Sequence, residues 1–211
     1  MKITKYEHAC FTVEIDGKVL VVDPGNFTKD LNITDSVVGI VITHPHADHF
    51  DPAVISDLFD KNPDSLLISL SSVTDQMPNH ASKVVNPGDS VTAGPFNLSF
   101  FGGLHAPIHE TMQTGTNVGV MINDTVYYPG DSFTVPERPI EVLALPVSGP
   151  WLKTGDVIDY ILATKPKKAF LTHDGLNADS GKHMYGQWLS GSAEKLGTDI
   201  IVLNPGQSIE A

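Results

Sequence analysis

The segment from Val37 to Phe59 constrains the fold of this 211-residue chain more than any other. It opens with the apolar run V-V-G-I-V-I, whose β-branched residues without polar alternation indicate a strand buried on both faces. The sequence T-H-P-H-A-D-H follows at residues 43–49, and Asp51 and Pro52 then form the cap and the first residue of a predicted helix. The pattern therefore places residues 43–49 on a strand-to-helix loop.

This loop concentrates metal-binding side chains. His44, His46, Asp48 and His49 offer four imidazole or carboxylate groups within six residues, a mixture that suits zinc, manganese or iron. The two-residue spacing of His44 and His46 lets them reach one ion, whereas Asp48 and His49 turn with the start of the helix toward another. We favour a metal site over a chance cluster of surface histidines, because clustered His and Asp after a buried strand are what a metal site requires.

Size and composition predict one globular domain that spans residues 1–211. Hydrophobic residues make up 41% of the chain, and its length is sufficient for a layered core without disulfide bonds. The single cysteine, Cys10, lies in the apolar segment A-C-F-T-V, which predicts a buried thiol rather than a nucleophile. One unpaired cysteine and the lack of a signal-peptide pattern at the N-terminus together predict a cytoplasmic protein.

The charge of the chain limits its partners. The formal net charge is −12, whereas affinity for nucleic acid comes largely from Lys and Arg that neutralise phosphates. No apolar run approaches the length that is needed to span a membrane. We therefore expect a small-molecule substrate rather than nucleic acid or a membrane, and the sequence leaves a homo-oligomer open.

The remaining chain is rich in predicted strands. Alternating or buried apolar runs, separated by turn residues such as Asp16-Gly17, predict strands at 3–6, 10–15, 19–22, 65–70, 91–93, 96–101, 117–122, 125–128, 140–145, 169–172 and 199–203. Helices are predicted at 154–164 and 184–196, and residues 71–81 are predicted to be a short helix or a loop. Two strand-rich halves, each followed by helix, predict an α+β fold built as a four-layer αββα sandwich.

Further candidate residues stand where predicted strands end. Asp23 begins an Asp-Pro-Gly turn, and its carboxylate either forms the turn or accepts a hydrogen bond from a metal-bound imidazole. His105 and His109 lie in a loop that contains Gly and Pro. Asp131 follows a glycine that allows close backbone approach, and His173 is at a strand exit.

Taken together, these motifs make the sequence resemble the metallo-β-lactamase superfamily. The H-x-H-x-D-H motif at residues 44–49 is highly specific, and the Asp-Pro-Gly turn, the third histidine, the Gly-Asp at 130–131 and the final strand-end histidine agree with it in order and spacing. Within the superfamily, the compact length, the early His8 and the segment 146–150 look most like the branch that contains L-ascorbate 6-phosphate lactonase and related small hydrolases.

The resemblance implies an αββα sandwich with a dinuclear metal centre in the groove between the sheets. The implied ligands are His44, His46 and His105 for the first ion, Asp48, His49 and His173 for the second, and Asp131 as a bridge between the two. Zinc is the expected metal, with Mn²⁺ or Fe²⁺ as alternatives. The two ions would share a hydroxide as nucleophile, while Asp48 holds this nucleophile and Asp131 sets the separation of the ions.

The expected activity is therefore hydrolysis of a small ester-like substrate: a lactone, a thioester or a phosphoester. The alternatives are a nuclease or phosphodiesterase that acts on nucleic acid, a di-iron oxidoreductase on the same scaffold, and a binding module without catalysis. His109 is expected to line the substrate pocket rather than to bind a metal. His8 is either a histidine at the edge of the core or a pocket residue near the metals, and Asp23 is the candidate that would orient a metal-bound imidazole.

Overall fold

The computed structural model describes residues 1–29, 31, 33 and 36–211. Among these residues, fourteen strands form two seven-stranded sheets, and four α-helices cover the outer faces of the sheets. In spatial order, the first sheet consists of β14 (Ser208–Glu210), β1 (Lys2–Lys5), β2 (Phe11–Ile15), β3 (Lys18–Val22), β4 (Val37–Ile42), β5 (Leu66–Ser69) and β6 (Ser82–Val84).

The second sheet and the helices complete the layers. In spatial order, the second sheet consists of β13 (Asp199–Ile201), β12 (Lys168–Thr172), β11 (Val142–Pro146), β10 (Val126–Tyr128), β9 (Thr116–Ile122), β8 (Phe96–Leu104) and β7 (Ser90–Ala93). The helices are α1 (Pro52–Lys61), α2 (Ser71–Thr74), α3 (Thr154–Thr164) and α4 (Asp179–Ala193), and a 3₁₀ turn at Glu194–Leu196 extends α4. No helix of the described residues has both the length and the apolar character to cross a bilayer.

Both sheets follow the same plan. An antiparallel meander, β1 to β3 or β7 to β10, is followed by parallel strands that helices connect. Helices α1 and α2 join β4, β5 and β6, whereas α3 and α4 join β11, β12 and β13. Because parallel strands end at the same edge of a sheet, each sheet presents several strand-to-loop exits together.

The side chains of β4 show how the layers are held. Val41 belongs to the apolar core between the two sheets, whereas Ile40 and Ile42 pack in the layer beneath α1. Asp51 caps α1 by accepting a hydrogen bond from the Ala53 N–H, as predicted. A third core lies between the second sheet and the helices α3 and α4. The predicted four-layer αββα sandwich is confirmed.

The structure adds elements that the sequence did not predict. Strands β6 and β14 have three residues each, S-K-V and S-I-E, so neither carries enough of a hydrophobic pattern to mark it. Strand β14 follows β13, the last strand that the sequence predicted, and pairs with β1 at the other end of the chain. Helix α4 begins at Asp179 rather than at residue 184, because its first turn is polar and lacks an apolar face.

Candidate metal centre

The seven predicted metal ligands lie on loops at one edge of the sandwich. His44, His46, Asp48 and His49 follow β4, His105 follows β8, Asp131 follows β10 and His173 follows β12. The loop after β4 is tied to the second sheet, because the Val118 N–H donates a 3.0 Å hydrogen bond to the Thr43 carbonyl. Residues from both sheets therefore meet at this edge.

The structure gathers the candidate ligands into two groups. One group contains His44, His46, His105 and Asp131, and the other contains His8, Asp48, His49 and His173; within each group the ligand atoms all lie within 4.8 Å of one another. All seven residues singled out in the sequence are present in these groups. His8 is the addition, because the sequence left it either at the edge of the core or in the pocket near the metals and did not make it a ligand.

Asp131 lies between the two groups. Its Oδ1 is 3.2 Å from His49 Nε2, and its Oδ2 is 3.1 Å from His173 Nε2 and 3.3 Å from His105 Nε2. Ligands that a tetrahedral ion holds at about 2.0–2.1 Å are about 3.3–3.4 Å from one another. The separations around Asp131 therefore match those of atoms that share a cation.

Several buried polar atoms at this site have no hydrogen-bond partner among the described residues. Four of them are His49 Nε2, His105 Nε2, His173 Nε2 and Asp131 Oδ1. A buried polar atom without a partner costs free energy, so a set of four that face one another calls for an explanation. Divalent cations would satisfy all four, because neutral imidazole nitrogen and carboxylate oxygen are metal ligands. The donor set therefore fits divalent cations.

Contacts of Nδ1 in His44, His49 and His105 orient these rings so that Nε2 faces the site. His49 Nδ1 is 2.7 Å from Asp23 Oδ2, and His105 Nδ1 is 2.5 Å from the Ala106 carbonyl. His44 Nδ1 is 3.0 Å from Thr43 Oγ1, whose own proton is donated to Asp23. A neutral imidazole that donates from Nδ1 keeps its lone pair on Nε2. In the neutral form, all three histidines thus direct an Nε2 lone pair at the site. Burial lowers the pKa of His49, but the carboxylates of Asp131 and Asp23 outweigh it and raise that pKa well above its ordinary value, so a metal that binds His49 would displace its Nε2 proton.

Burial and charge set the protonation of the site. Burial lowers the pKa of His44 well below its ordinary value, and the neighbouring His49 lowers it further. Burial opposes ionisation of Asp131, but His49 and His173 outweigh it and hold the pKa of Asp131 well below its ordinary value. Burial also lowers the pKa of His173, but the carboxylates of Asp131 and Asp48 outweigh this effect and raise the pKa of His173 to about 9. The carboxylates therefore stay ionised and attract positive charge to the site.

The backbone around Asp131 requires a glycine. Gly130 has a φ of +62°, and a Cβ there would lie 2.3 Å from Asn117 Oδ1 and 2.8 Å from Thr43 Cβ. The same Asn117 Oδ1 accepts a 3.0 Å hydrogen bond from the Asp131 N–H, and Asn117 Nδ2 donates to the Pro129 carbonyl. The close backbone approach predicted at this glycine is present, and it aims Asp131 inward.

Sequence reasoning missed three residues that shape the site. Asn117 holds the turn before Asp131, and the only signal for it is a lone amide at the start of an apolar strand. Lys5 is fully buried, and its Nζ donates a 2.9 Å hydrogen bond to Asp174 Oδ1, next to His173. No local pattern marks this pair, because a lysine is ordinarily exposed.

The two candidate pocket residues differ in their surroundings. His8 is buried, and its Nε2 lies 3.0 Å from Asp48 Oδ2, inside the candidate metal centre. His109 is exposed, and its Nδ1 lies 2.8 Å from Thr111 Oγ1. A cavity of about 90 Å³ opens beside His46 and His105, and its walls are Ala106, Ile108, Met112, Gln113, Thr114 and Gly115. His109 belongs to the same loop but is not one of these lining residues.

Residues 2–173 match a family model described as "Beta-lactamase superfamily domain", and this match includes every candidate ligand. The chain belongs to this superfamily. The superfamily membership that the motifs predicted is thereby confirmed.

Relatives in the superfamily match most of the chain. Protein Rv0786c of Mycobacterium tuberculosis is 28% identical over 190 residues, which cover 88% of this chain and 89% of that protein. A protein of Flavobacterium johnsoniae named "UPF0173 metal-dependent hydrolase" is 28% identical over 184 residues, with coverage of 78% and 79%. Among solved structures, the metallo hydrolase Igni18 of Ignicoccus hospitalis superposes with a TM-score of 0.75 at 18% identity, over 99% of this chain and 97% of that one.

Proposed function

We propose that the protein is a metal-dependent hydrolase that binds two divalent metal ions and cleaves a small ester-like substrate. The observation that carries the proposal is the pair of neighbouring ligand groups, in which Asp131 of the first group also lies close to His49 and His173 of the second, with unpaired buried nitrogen and oxygen atoms facing one another. Named relatives support the reaction class, because several carry the name metal-dependent hydrolase.

The proposed ligands divide between the two ions as the superfamily resemblance implies. The ligands are His44, His46 and His105 for the first ion, Asp48, His49 and His173 for the second, and Asp131 for both. Ions bound there would supply a water of lowered pKa and a Lewis acid for the substrate oxygen. Nitrogen and oxygen ligands suit zinc, our first choice, and also manganese and iron.

The two carboxylates at the centre differ in exposure, and this difference suggests different roles. The Asp131 side chain is almost fully buried between the two groups, so its negative charge has a fixed position and little contact with solvent. The Asp48 side chain is 26% exposed, so its carboxylate borders the groove where a substrate would enter. We assign Asp48 the additional task of accepting the proton of the attacking water, because a general base must reach that proton.

The cavity beside His46 and His105 supports a small substrate. Its volume of about 90 Å³ is well below the range of roughly 300–1,000 Å³ that is usual for drug-sized ligands. Ile108 and Met112 make one part of its wall apolar, whereas Gln113 and Thr114 offer polar groups. The reacting end of a compact lactone, thioester or phosphoester suits this cavity, and the rest of a larger substrate, such as one of the L-ascorbate 6-phosphate lactonase branch, would extend out of it.

Metal analysis and a substrate screen test the proposal. Protein purified after metal-replete expression should contain two equivalents of transition metal per chain, and Asp131→Asn should lower both metal content and activity. Lactones, thioesters and phosphoesters would be screened with zinc, manganese and iron in turn. Less than one equivalent of any metal would contradict the proposal.

The same samples separate the competing functions. Cleavage of RNA with salt-dependent binding would favour a nuclease, although the net charge of −12 opposes binding to phosphates. Oxygen consumption that requires iron would favour a di-iron oxidoreductase. Function that survives Asp131→Asn unchanged would favour a binding module without catalysis.

A further inference from the structure

His8 is held rigidly beside the second ligand group. It lies between β1 and β2 with a φ of +57°, a left-handed conformation that a residue other than glycine rarely adopts. Its ring stacks on Phe27 with the centroids 4.7 Å apart, and its ring centroid is 4.0 Å from that of His173. The His8 carbonyl also accepts a 2.9 Å hydrogen bond from the His173 N–H. The packing therefore fixes both the position and the tilt of this imidazole.

The two ring nitrogens of His8 have different partners, and these partners determine its tautomer. The Gly175 N–H donates a 3.0 Å hydrogen bond to His8 Nδ1. Since a backbone N–H can only donate, Nδ1 must present its lone pair, and the proton of the neutral ring is then on Nε2. His8 Nε2 lies 3.0 Å from Asp48 Oδ2, and it therefore donates to that oxygen.

This hydrogen bonding leaves His8 without a lone pair for a metal. The lone pair of Nδ1 is directed to the Gly175 N–H, and Nε2 carries a proton. His8 is therefore close to the ligand atoms of the second group but has no free lone pair to offer a metal. Asp48 Oδ2, by contrast, is 3.4 Å from His173 Nε2 and 3.8 Å from His49 Nε2, so it faces the two histidines of that group.

We propose that His8 is a positioning residue, not a metal ligand, and that its Nε2–H fixes the Asp48 carboxylate in the orientation that binds the second ion. The inference rests on the proposed function, because it assigns Asp48 to that ion. Asp48 needs such support, since it is the more exposed of the two carboxylates in the centre. Two hydrogen bonds in series, from the Gly175 N–H to His8 and from His8 to Asp48, orient this ligand. Hydrogen bonds to metal ligands have the same effect at known metal sites.

Two substitutions of His8 separate the effect of its hydrogen bond to Asp48 from the effect of its ring packing. In His8→Gln the amide nitrogen can occupy the place of Nε2 and donate to Asp48. In His8→Asn the shorter amide can accept from the Gly175 N–H but cannot reach Asp48. Both variants remove the ring that packs on Phe27, so their difference reports the hydrogen bond to Asp48 rather than the loss of stacking.

Zinc titration of the metal-free protein against a chromophoric chelator gives the first readout. We expect His8→Asn to weaken binding of one of the two ions by about 10- to 100-fold and to leave the other unchanged. His8→Gln should bind both ions within a few-fold of the original protein. Equal affinities in all three proteins, or an equal loss in both variants when circular dichroism shows them folded, would overturn the inference.

Imidazole NMR of the unsubstituted protein gives a second readout that needs no variant. Nitrogen–proton correlation spectra should show His8 as the neutral Nε2–H tautomer before zinc is added, and the Nε2 proton should remain after two equivalents are bound. Loss of that proton while two ions bind would make His8 a ligand and would overturn this inference alone. Spectra and thermal stability that do not respond to zinc would instead contradict the proposed function itself.

Discussion

His49 Nδ1 lies 2.7 Å from Asp23 Oδ2, and both side chains are completely buried. Asp23 also accepts hydrogen bonds from Thr43, 2.8 Å from its N–H and 2.6 Å from its hydroxyl. The ring of His49 and both donors of Thr43 thus point at this carboxylate, and the Nδ1 proton of His49 is held away from the candidate metal centre. Asp23 follows β3 and His49 follows β4, so two adjacent parallel strands bring the pair together.

Asp23→Asn should weaken metal binding without removing a ligand. Asparagine can still accept from the Thr43 N–H, but its amide group would then face His49 Nδ1 and the Thr43 hydroxyl. The imidazole would have to move its proton to Nε2, where the metal should bind. We expect a loss of zinc affinity of about 10- to 100-fold, measured by chelator competition. Asp57→Asn is the control, because Asp57 is exposed and forms a surface ion pair with Lys61. Equal affinities in the two variants would contradict the role of Asp23.

Gly130→Ala should destabilise the protein more than alanine at an unhindered glycine. Gly17 has a similar φ of +72°, but a Cβ there meets nothing within 4 Å, so Gly17→Ala reports the conformational cost alone, about 1–2 kcal/mol. At Gly130 the added methyl would also displace Asn117 and Thr43, which should add about 1–3 kcal/mol. Denaturant unfolding of both variants measures the difference. Equal losses would show that the turn before Asp131 adapts easily.

Local sequence signals predicted the elements whose causes are local. Asp51 caps α1, and β4 has the apolar run of a strand buried on both faces. Both features depend on a few consecutive residues, so the sequence shows them directly. The H-x-H-x-D-H motif is local in the same sense. His105, Asp131 and His173 are different, since each is a single residue at a strand end, and only the family resemblance brought them into one site.

Contacts between distant parts of the chain were not predictable from pattern. His8 and Asp48 are 40 residues apart, and Lys5 and Asp174 are 169 residues apart, so no periodicity connects them. The pairing of β14 with β1 is another example, because a three-residue strand carries almost no signal by itself. These contacts depend on how the strands are arranged in the two sheets, and local propensity does not determine that arrangement.

Lys5→Met should destabilise the protein strongly, because it leaves Asp174 with a poorer partner in a buried position. The remaining cation, Lys182 Nζ, is 3.6 Å from Asp174 Oδ2, farther than the 2.9 Å contact with Lys5. Breaking a buried pair by removing one member costs about 3–5 kcal/mol. A double-mutant cycle with Asp174→Asn, followed by denaturant unfolding, should show that the double variant loses less than the sum.

The control for the buried pair is an exposed ion pair elsewhere in the protein. Lys167 Nζ lies 2.6 Å from Glu141 Oε2, and both side chains are exposed to solvent. Lys167→Met should therefore lower the free energy of unfolding by less than about 1 kcal/mol. A Lys5→Met loss as small as this would mean that water reaches Asp174. Additive losses in the cycle would mean that Lys5 and Asp174 do not interact directly.

Cys10 should make the stability of the protein fall at high pH. The thiol is completely buried, and burial raises its pKa far above the ordinary value, so the folded state keeps the proton. The unfolded chain loses that proton near pH 8.5, and between pH 8.5 and the folded pKa the folded state binds more protons. The free energy of unfolding must therefore decrease as pH rises, by about 2 kcal/mol at pH 10. Cys10→Ala lacks this titration, so the two proteins should diverge in denaturant unfolding between pH 7 and pH 10. Parallel pH profiles, or rapid reaction of the native thiol with a disulfide reagent, would show that Cys10 is accessible.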